Sequence, residues 1–493
     1  PVVSNGQPGL TTNFRLKRGG ESTEASAKYT ISDYGLNRID VVASGALDDD
    51  LYYMVGGYIK SSEGIRDAGF NSEQGNQFTV NITKVFEKGE LNLYTRQTDD
   101  RGTWYLPTPL NVEGIDANYT QIGPLNRQGT ITYGPNDTAE SFDFGEGRGW
   151  DGHVSGGSIK LDLGNDWQLV DRFNLTKGEA NTFGLVPNGS ATTVANVADN
   201  GESATGAVTG TVYDGDTPIQ QIGRWVVLKD IEAFTNDLAV SKSWEDFDTS
   251  FGIYSASTKA NDWWSIGNTA YHVLQPGGEL LDGIECNTDA QGCDWNYDIS
   301  SVGDASTFAL YATGTWYATT DLSIDLGLRR ENHEVNYSVD EDLDGKITKA
   351  LEYDETKTSW TVGANYALND TSGVFVRMNR GYKMPYFDDF RDNWGAYTGG
   401  NDLIQEVTQG ELGYKFMNDS IQFFATAFAN EVKGDTFVRR PGAPAEILTN
   451  EAYGIELDGR YSHDSGFSLS VNGTIQETEI TASANNEAMN LSV

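Results

Sequence analysis

Hydrophobic residues recur at every second position along much of this chain, and that period limits its folds more than any other feature. Leu322, Ile324, Leu326 and Leu328 interleave with Ser323, Asp325, Gly327 and Arg329; Phe467, Leu469 and Val471 interleave with Ser468, Ser470 and Asn472. A period of two puts the two sets on opposite faces of a strand. Where such segments run to about ten residues, one face can meet hydrocarbon while the other meets water or polar protein. The pattern predicts an all-β fold, an antiparallel transmembrane β-barrel.

Composition removes the main competitors. With 56 Gly against 12 Pro in 493 residues and a negative mean hydropathy, the chain is unlike a helical membrane protein. No stretch approaches the roughly 18 apolar residues of a transmembrane helix. A formal charge of -38 excludes a nucleic-acid partner, which would require clustered Lys and Arg against phosphate. A large barrel is one cooperative unit, so the length does not force a division into domains.

Periodic segments and turn signals together give about seventeen strands. They include Trp167 to Thr176, Asp237 to Trp244, Thr249 to Ser257 and Ser306 to Ala318. Tight turns fall at Asp48 to Asp50, Asn165 to Asp166, Asn369 to Ser372 and His463 to Ser465. Between them lie longer connections: Asp99 to Trp150, Lys177 to Phe234, Lys259 to Asp304, Val339 to Thr356 and Gly381 to Gln405. Short and long connections alternate, as periplasmic turns and extracellular loops do. Phe86, Trp167, Trp244, Phe247, Trp316, Tyr317, Tyr366, Phe416 and Tyr461 lie beside the tight turns and predict an aromatic band at one rim.

No catalytic constellation stands out, and the chain reads as a non-enzyme. His153, His272, His333 and His463 are scattered, and Gly145 to Gly149 lacks the strand-to-helix setting of a phosphate cradle. Asp340, Asp342, Asp344 and Gly345 open like a calcium loop, but the twelfth position is Leu351 and the segment lacks helical flanks; a solvated acidic loop and a structural calcium site both remain open. Cys286 and Cys293, close together in a polar segment, read as a small disulfide-closed loop, with two free thiols as the alternative. Trp104, Tyr105, Trp263, Trp264, Trp394, Tyr397, Arg439 and Arg440 fall in predicted loops. They offer flat faces and fixed cations suited to catecholate rings, sugars or anionic chelates, and equally to loop packing.

Several short segments resemble one family. Asn13 to Gly19 is similar to the end of a plug domain, and Ser44 to Asp48 to a segment closing the second barrel strand. Arg380-Gly381-Tyr382-Lys383-Met384-Pro385 resembles an arginine-glycine-aromatic-basic-x-proline box. Asn401, Leu403 and Glu406 resemble an Asn-Leu-Glu element, here with shortened spacing, and Asn450 with Gly454 to Glu456 resembles a later one. Taken in order, these identify the chain as a member of the TonB-dependent outer-membrane receptors.

The resemblance implies a barrel of the 22-strand type in the outer membrane, in contact with lipid and filled by a plug. On that comparison residues 1–19 are a plug remnant and residues 20–493 a barrel that stops before its last strands, so both sheet edges should be unpaired. It further implies uptake of a scarce nutrient, a ferric siderophore or an oligosaccharide. The ligand would bind extracellular loops, and energy would come from the TonB-ExbB-ExbD complex acting through a region upstream. A passive porin or barrel adhesin and a secreted all-β glycan-binding protein are the alternatives.

Overall fold

The computed structural model describes residues 15–110, 112–113, 115–199, 201–284, 296–437, 446–483 and 491–492. Seventeen long strands form one antiparallel sheet in sequence order. They are β1 (Glu24–Ile31), β2 (Asn37–Asp48), β3 (Leu51–Ser62), β4 (Glu73–Phe86), β5 (Gly89–Gly102), β6 (Arg148–Gly164), β7 (Trp167–Thr193), β8 (Pro218–Ser243) and β9 (Phe247–Ile266). The series continues with β10 (Tyr297–Tyr317), β11 (Leu322–Glu341), β12 (Lys349–Asn369), β13 (Ser372–Lys383), β14 (Gln405–Met417), β15 (Ile421–Phe437), β16 (Glu446–Ser462) and β17 (Ser468–Ser483). Each pairs with its sequence neighbours, and among the described residues β1 does not pair with β17. No described helix is long and apolar enough to cross a membrane, so any crossing is made by strands.

Register shows what the alternation does. Tyr29 lies opposite Ile39, Ile253 opposite Leu310, and Ile455 opposite Ile475, all on one face and all exposed. So much exposed apolar surface is stable only against hydrocarbon. The opposite face carries Asn81, Asn92, Thr307, Arg329, Glu331 and His333, all buried. Asn92 Nδ2 donates to Asn81 Oδ1 at 2.6 Å and to Thr83 Oγ1 at 2.8 Å. Asn81, Thr83 and Asn92 thus satisfy one another on the inward face of the wall.

The aromatic band is present at the tight-turn rim. Trp167 lies 6.2 Å from Trp244, Trp244 lies 6.1 Å from Phe247, and Phe247 is paired in register with Trp316. Lys242 Nζ sits 5.2 Å from both indole rings, its stem along the wall and its charge at the edge.

At the other rim the strands are longer than their periodicity suggested. The predicted connection Lys177 to Phe234 narrows to residues 194–217, because β7 and β8 remain paired from Trp167 opposite Lys242 up to Thr193 opposite Pro218. Likewise Lys259 to Asp304 narrows to residues 267–296, and Val339 to Thr356 to residues 342–348. The physical reason is that these upper segments meet water, polar loops and an apolar loop cluster in turn, the last burying Phe183, Leu185, Ile222 and Val226. The hydrogen-bond ladder continues there without the apolar alternation that reveals it lower down.

Two bodies of loop structure sit on this extended rim. The connection between β5 and β6 forms a hairpin, Gln128–Tyr133 with Thr138–Asp143, whose Ile131 is buried with Phe144, Phe183, Ile222 and Val226. Val226 shares a face with Leu228 and Phe234, so the hairpin covers the outward side of the wall. The connections after β7 and β9 share a three-stranded sheet, Ser203–Gly206, Val212–Asp214 and Leu281–Asp282. The buried Glu279 ties them together. Its carboxylate accepts from Val208 N at 3.0 Å, Thr209 N at 2.9 Å and Tyr213 Oη at 2.9 Å. Burial opposes its ionisation, but these donors and the Thr209 hydroxyl outweigh it and hold the carboxyl below the ordinary carboxylate range.

Candidate functional site

The connection between β13 and β14 folds into the mouth as an inner strap. It begins where Pro385 stops the ladder and turns into two short helices, α1 (Phe387–Asp392) and α2 (Trp394–Thr398). Asp389 Oδ2 accepts from Tyr386 N at 2.9 Å, satisfying a donor at the start of α1. Phe387 stacks on Tyr337 with ring centroids 5.9 Å apart. Gly303 makes room for it, since a Cβ there would lie 2.4 Å from the Phe387 ring. Phe390 is fully buried, 5.2 Å from both Tyr353 and Tyr397.

A charge cluster fixes the strap to the inward faces of β8 and β9. Lys229 Nζ reaches Asp262 Oδ2 at 3.0 Å and Asp388 Oδ1 at 3.2 Å. Arg391 bonds Asp388 and Asp392, each at 2.8 Å, lies 3.7 Å from Asp262 Oδ2, and stacks over Trp264 at 4.1 Å. With only 6% and 4% of the Arg391 and Asp262 side chains exposed, these charges are stable because they are paired. Nothing in the sequence marked Lys229 or Asp262 as partners of Asp388 or Arg391, since the strap and the β8–β9 pair lie more than a hundred residues apart.

The family-like boxes prove to be the two ends of this strap. Arg380 Nη2 bonds Glu406 Oε2 at 2.5 Å and lies over the Tyr382 ring, while Gly381 is buried opposite Val407. Asn401 caps α2, its N and Nδ2 donating to Ala396 O at 3.0 and 3.1 Å. Leu403 is buried with Phe390 and Phe387. His333 Nε2 donates to Pro385 O at 3.0 Å, so in the neutral ring Nδ1 accepts from Thr307 Oγ1 at 2.8 Å.

The aromatic residues offered as ligand contacts do not form one site. Trp264 and Tyr397 pack on the strap cluster, and Trp394 lies 6.3 Å from Tyr397 with Lys349 Nζ 5.7 Å from its ring. Trp263 and Trp264 were expected in a loop; both lie on β9, on opposite faces, because the ladder reaches Ile266. Trp263 therefore packs outward under the hairpin, 4.9 Å from Tyr133. Trp104 faces Trp225 at 6.3 Å and Arg148 at 4.3 Å, and Tyr105 Oη donates to Arg66 O at 3.0 Å. Arg439 and Arg440, and Cys286 with Cys293, lie outside the described residues.

The acidic turn is occupied by its own donors. Asp340 accepts from Asp344 N at 3.2 Å and Gly345 N at 2.9 Å, and Gly345 takes φ +80°. Lys346 bonds Asp344 and holds its carboxyl below the ordinary range, while Asp342 adopts φ 69° within the turn. Among the described residues no three His, Cys, Asp or Glu side chains converge as a metal-binding set.

An antiparallel wall with an apolar outer belt, an aromatic rim, short turns on one side and folded loops on the other defines an outer-membrane receptor barrel. The chain belongs to the family described as TonB dependent receptor-like, beta-barrel, whose model matches residues 22–489. The ferric yersiniabactin uptake receptor FyuA from Yersinia pestis superimposes with a TM-score of 0.64 at 15% identity, covering 96% of this chain and 63% of that one. The siderophore receptor PiuA from Acinetobacter baumannii gives 0.59 at 13% identity, over 94% and 65%. The copper transporter OprC gives 0.61 at 12%, over 96% and 64%, so the fold is shared across cargoes. In sequence, the rhizobactin receptor of Rhizobium meliloti (strain 1021) is 25% identical over 233 residues, taking in 39% of this chain and 30% of that protein. The chain thus spans under two thirds of the length of these relatives, and it lies in the outer membrane.

Proposed function

We propose that this barrel serves TonB-dependent import of a ferric siderophore across the outer membrane. The observation that carries this reading is the family match along nearly the whole chain, joined by relatives whose names converge on siderophore receptors. In this reading the TonB-ExbB-ExbD complex supplies the energy, and the extracellular loops and strap present the ligand surface. The barrel itself makes and breaks no covalent bond. Its residues bind, orient and gate, and the paired charges of the strap hold one arrangement of the mouth until ligand or force changes it.

Deleting the gene and measuring growth tests the reading. Under iron limitation, with single ferric siderophores as iron source, the deletion strain should lose growth on at least one of them and regain it on complementation. Unchanged growth on all of them, with growth lost on a single glycan, would replace the siderophore by an oligosaccharide.

A further inference from the structure

The outward face of β5 to β9 carries a groove between the lipid-facing belt and the loop body above it. The groove holds about 540 Å³ and is backed by Phe183, Leu228 and Trp263, with Gly149 leaving its floor bare. Leu228 is exposed there, and Trp263 packs by one edge on Tyr133 of the hairpin. The lower lip is acidic. Asp99, Asp151, Glu179 and Asp230 stand in direct register on β5, β6, β7 and β8. Asp230 lies two outward positions from the exposed Phe234, roughly 13 Å along β8, so the row sits above the apolar belt.

Like charges directly opposite one another on a sheet repel, so this row is destabilising on its own. Among the described residues no Lys, Arg or His nitrogen lies within 4.0 Å of the four carboxylates. Nearby cations are engaged elsewhere: Arg101 with Glu146 at 3.0 Å, Lys177 with Glu232 at 3.3 Å and Lys259 with Asp304 at 3.4 Å. Asp151 accepts from a neutral amide, Gln97 Nε2, at 3.2 Å. The spacing of the row selects the shape of its partner. Carboxylates on neighbouring strands repeat every 4.8 Å or so and span roughly 14 Å over the four strands. Residues on one face of an α-helix repeat about every 5.4 Å along its axis, against about 6.8 Å on one face of an extended chain. Over three intervals the helix drifts from the row by about 2 Å and the extended chain by about 6 Å, more than one strand spacing.

We infer that this groove docks a basic amphipathic helix of a partner protein against the outside of the barrel. Lys and Arg on the helix supply the counter-charges that the row lacks, and the pairs form beside an apolar wall where water is partly excluded. The apolar side of the helix covers the parts of Leu228 and Trp263 that the hairpin leaves open, as such helices do at a membrane surface. An anionic lipid headgroup would fit the same place only with a divalent cation between its phosphate and the carboxylates. The docking is separate from uptake through the lumen and does not rest on that reading.

Fluorescence anisotropy on the purified full-length receptor in zwitterionic nanodiscs tests it, with a labelled amphipathic helix of Leu and Lys as probe and its Leu and Glu counterpart as control. Above the level of empty nanodiscs, the Leu and Lys helix should bind saturably and more weakly as salt rises, and the Leu and Glu helix should not bind. Asp151→Asn/Glu179→Gln/Asp230→Asn should weaken binding by about tenfold or more. Leu228→Ser, which leaves every charge in place, should weaken it by several-fold. Glu334→Gln/Asp354→Asn removes a carboxylate pair in register on the outward face of β11 and β12 and should leave binding unchanged. Undiminished binding in the triple variant, or an equal loss in this last one, would overturn the inference. Magnesium-dependent retention of phosphatidylglycerol by the wild-type receptor but not by the triple variant would overturn it too, assigning the row to a cation-bridged lipid headgroup.

Discussion

Two stretches of the same inner wall have been filled in opposite ways. On β8 to β12 the mouth is packed by the strap, and its cations are matched: Lys229 by Asp262 and Asp388, Arg391 by Asp388 and Asp392, Arg329 by Glu331. On β1 to β5 the wall faces a cavity, and Arg15, Lys28 and Arg96 stand without carboxylates among the described residues. The strand periodicity is the same in both. What differs is whether a charged inward residue has a partner, and that decides whether it holds structure or is available to a ligand.

The comparison breaks most readily at the strap core. Phe390→Ala removes a fully buried ring, and the strap should lose about 4 kcal/mol of local stability. Faster hydrogen exchange across residues 384–404 with an unchanged heat-modifiable barrel would show it; unchanged exchange would mean the strap is not held by this packing. Asp262→Ala comes next, at about 3 kcal/mol, because it leaves Lys229 short of its most buried partner. Limited proteolysis should then cut the strap first. Mutating Glu406 to Gln, which weakens the strap base at Arg380, should have a smaller effect of about 1 kcal/mol in the same assay.

Acidification should loosen the other loop body. His272 is fully buried with neither ring nitrogen hydrogen-bonded to a described residue, and burial lowers its pKa to about 4. Between the ordinary histidine value of 6.5 and that figure the opened loop takes up a proton that the closed one refuses. Loop stability therefore falls as pH drops through this window, by up to about 3 kcal/mol. Glu279 adds to the loss below its ordinary value of 4.5, since its lowered folded pKa makes its contribution complete only above that value. Protection factors within residues 267–283, which correct for the intrinsic pH dependence of exchange, should fall from pH 7 to pH 4 and stay flat in His272→Phe above pH 5. At the small end, Lys177→Ala on the outward face breaks an exposed pair with Glu232 and should cost under about 0.5 kcal/mol.

Much of this is legible in the amino-acid sequence. The interleaving of Leu322 to Arg329 fixed which residues face lipid, and the turns beside Trp167, Trp244 and Phe247 located the aromatic rim. The boxes around Arg380 and Asn401 were legible as motifs, though not as the two ends of one strap. Strand length above the membrane was hidden, because residues from Lys177 to Thr193 meet water, polar loops and an apolar loop cluster in turn and no sustained alternation results. The pairing of Lys229 with Asp388 was hidden for a different reason: it depends on where a loop returns, which local pattern does not encode. That Arg38 is matched by Asp40, while no described carboxylate lies within 4.0 Å of Lys28 or Arg96, emerges only from the packed wall.

Thiol reactivity in the full receptor, with Cys286 and Cys293 replaced by Ser, tests the contrast between the two walls most directly. A single cysteine at Ser26 samples the cationic cavity, and one at Ala305 samples the wall beneath the strap. Ser26→Cys should react several-fold faster with an anionic methanethiosulfonate than with a cationic one, while Ala305→Cys should react with neither. Equal rates for both reagents at Ser26→Cys, or ready reaction at Ala305→Cys, would contradict the account.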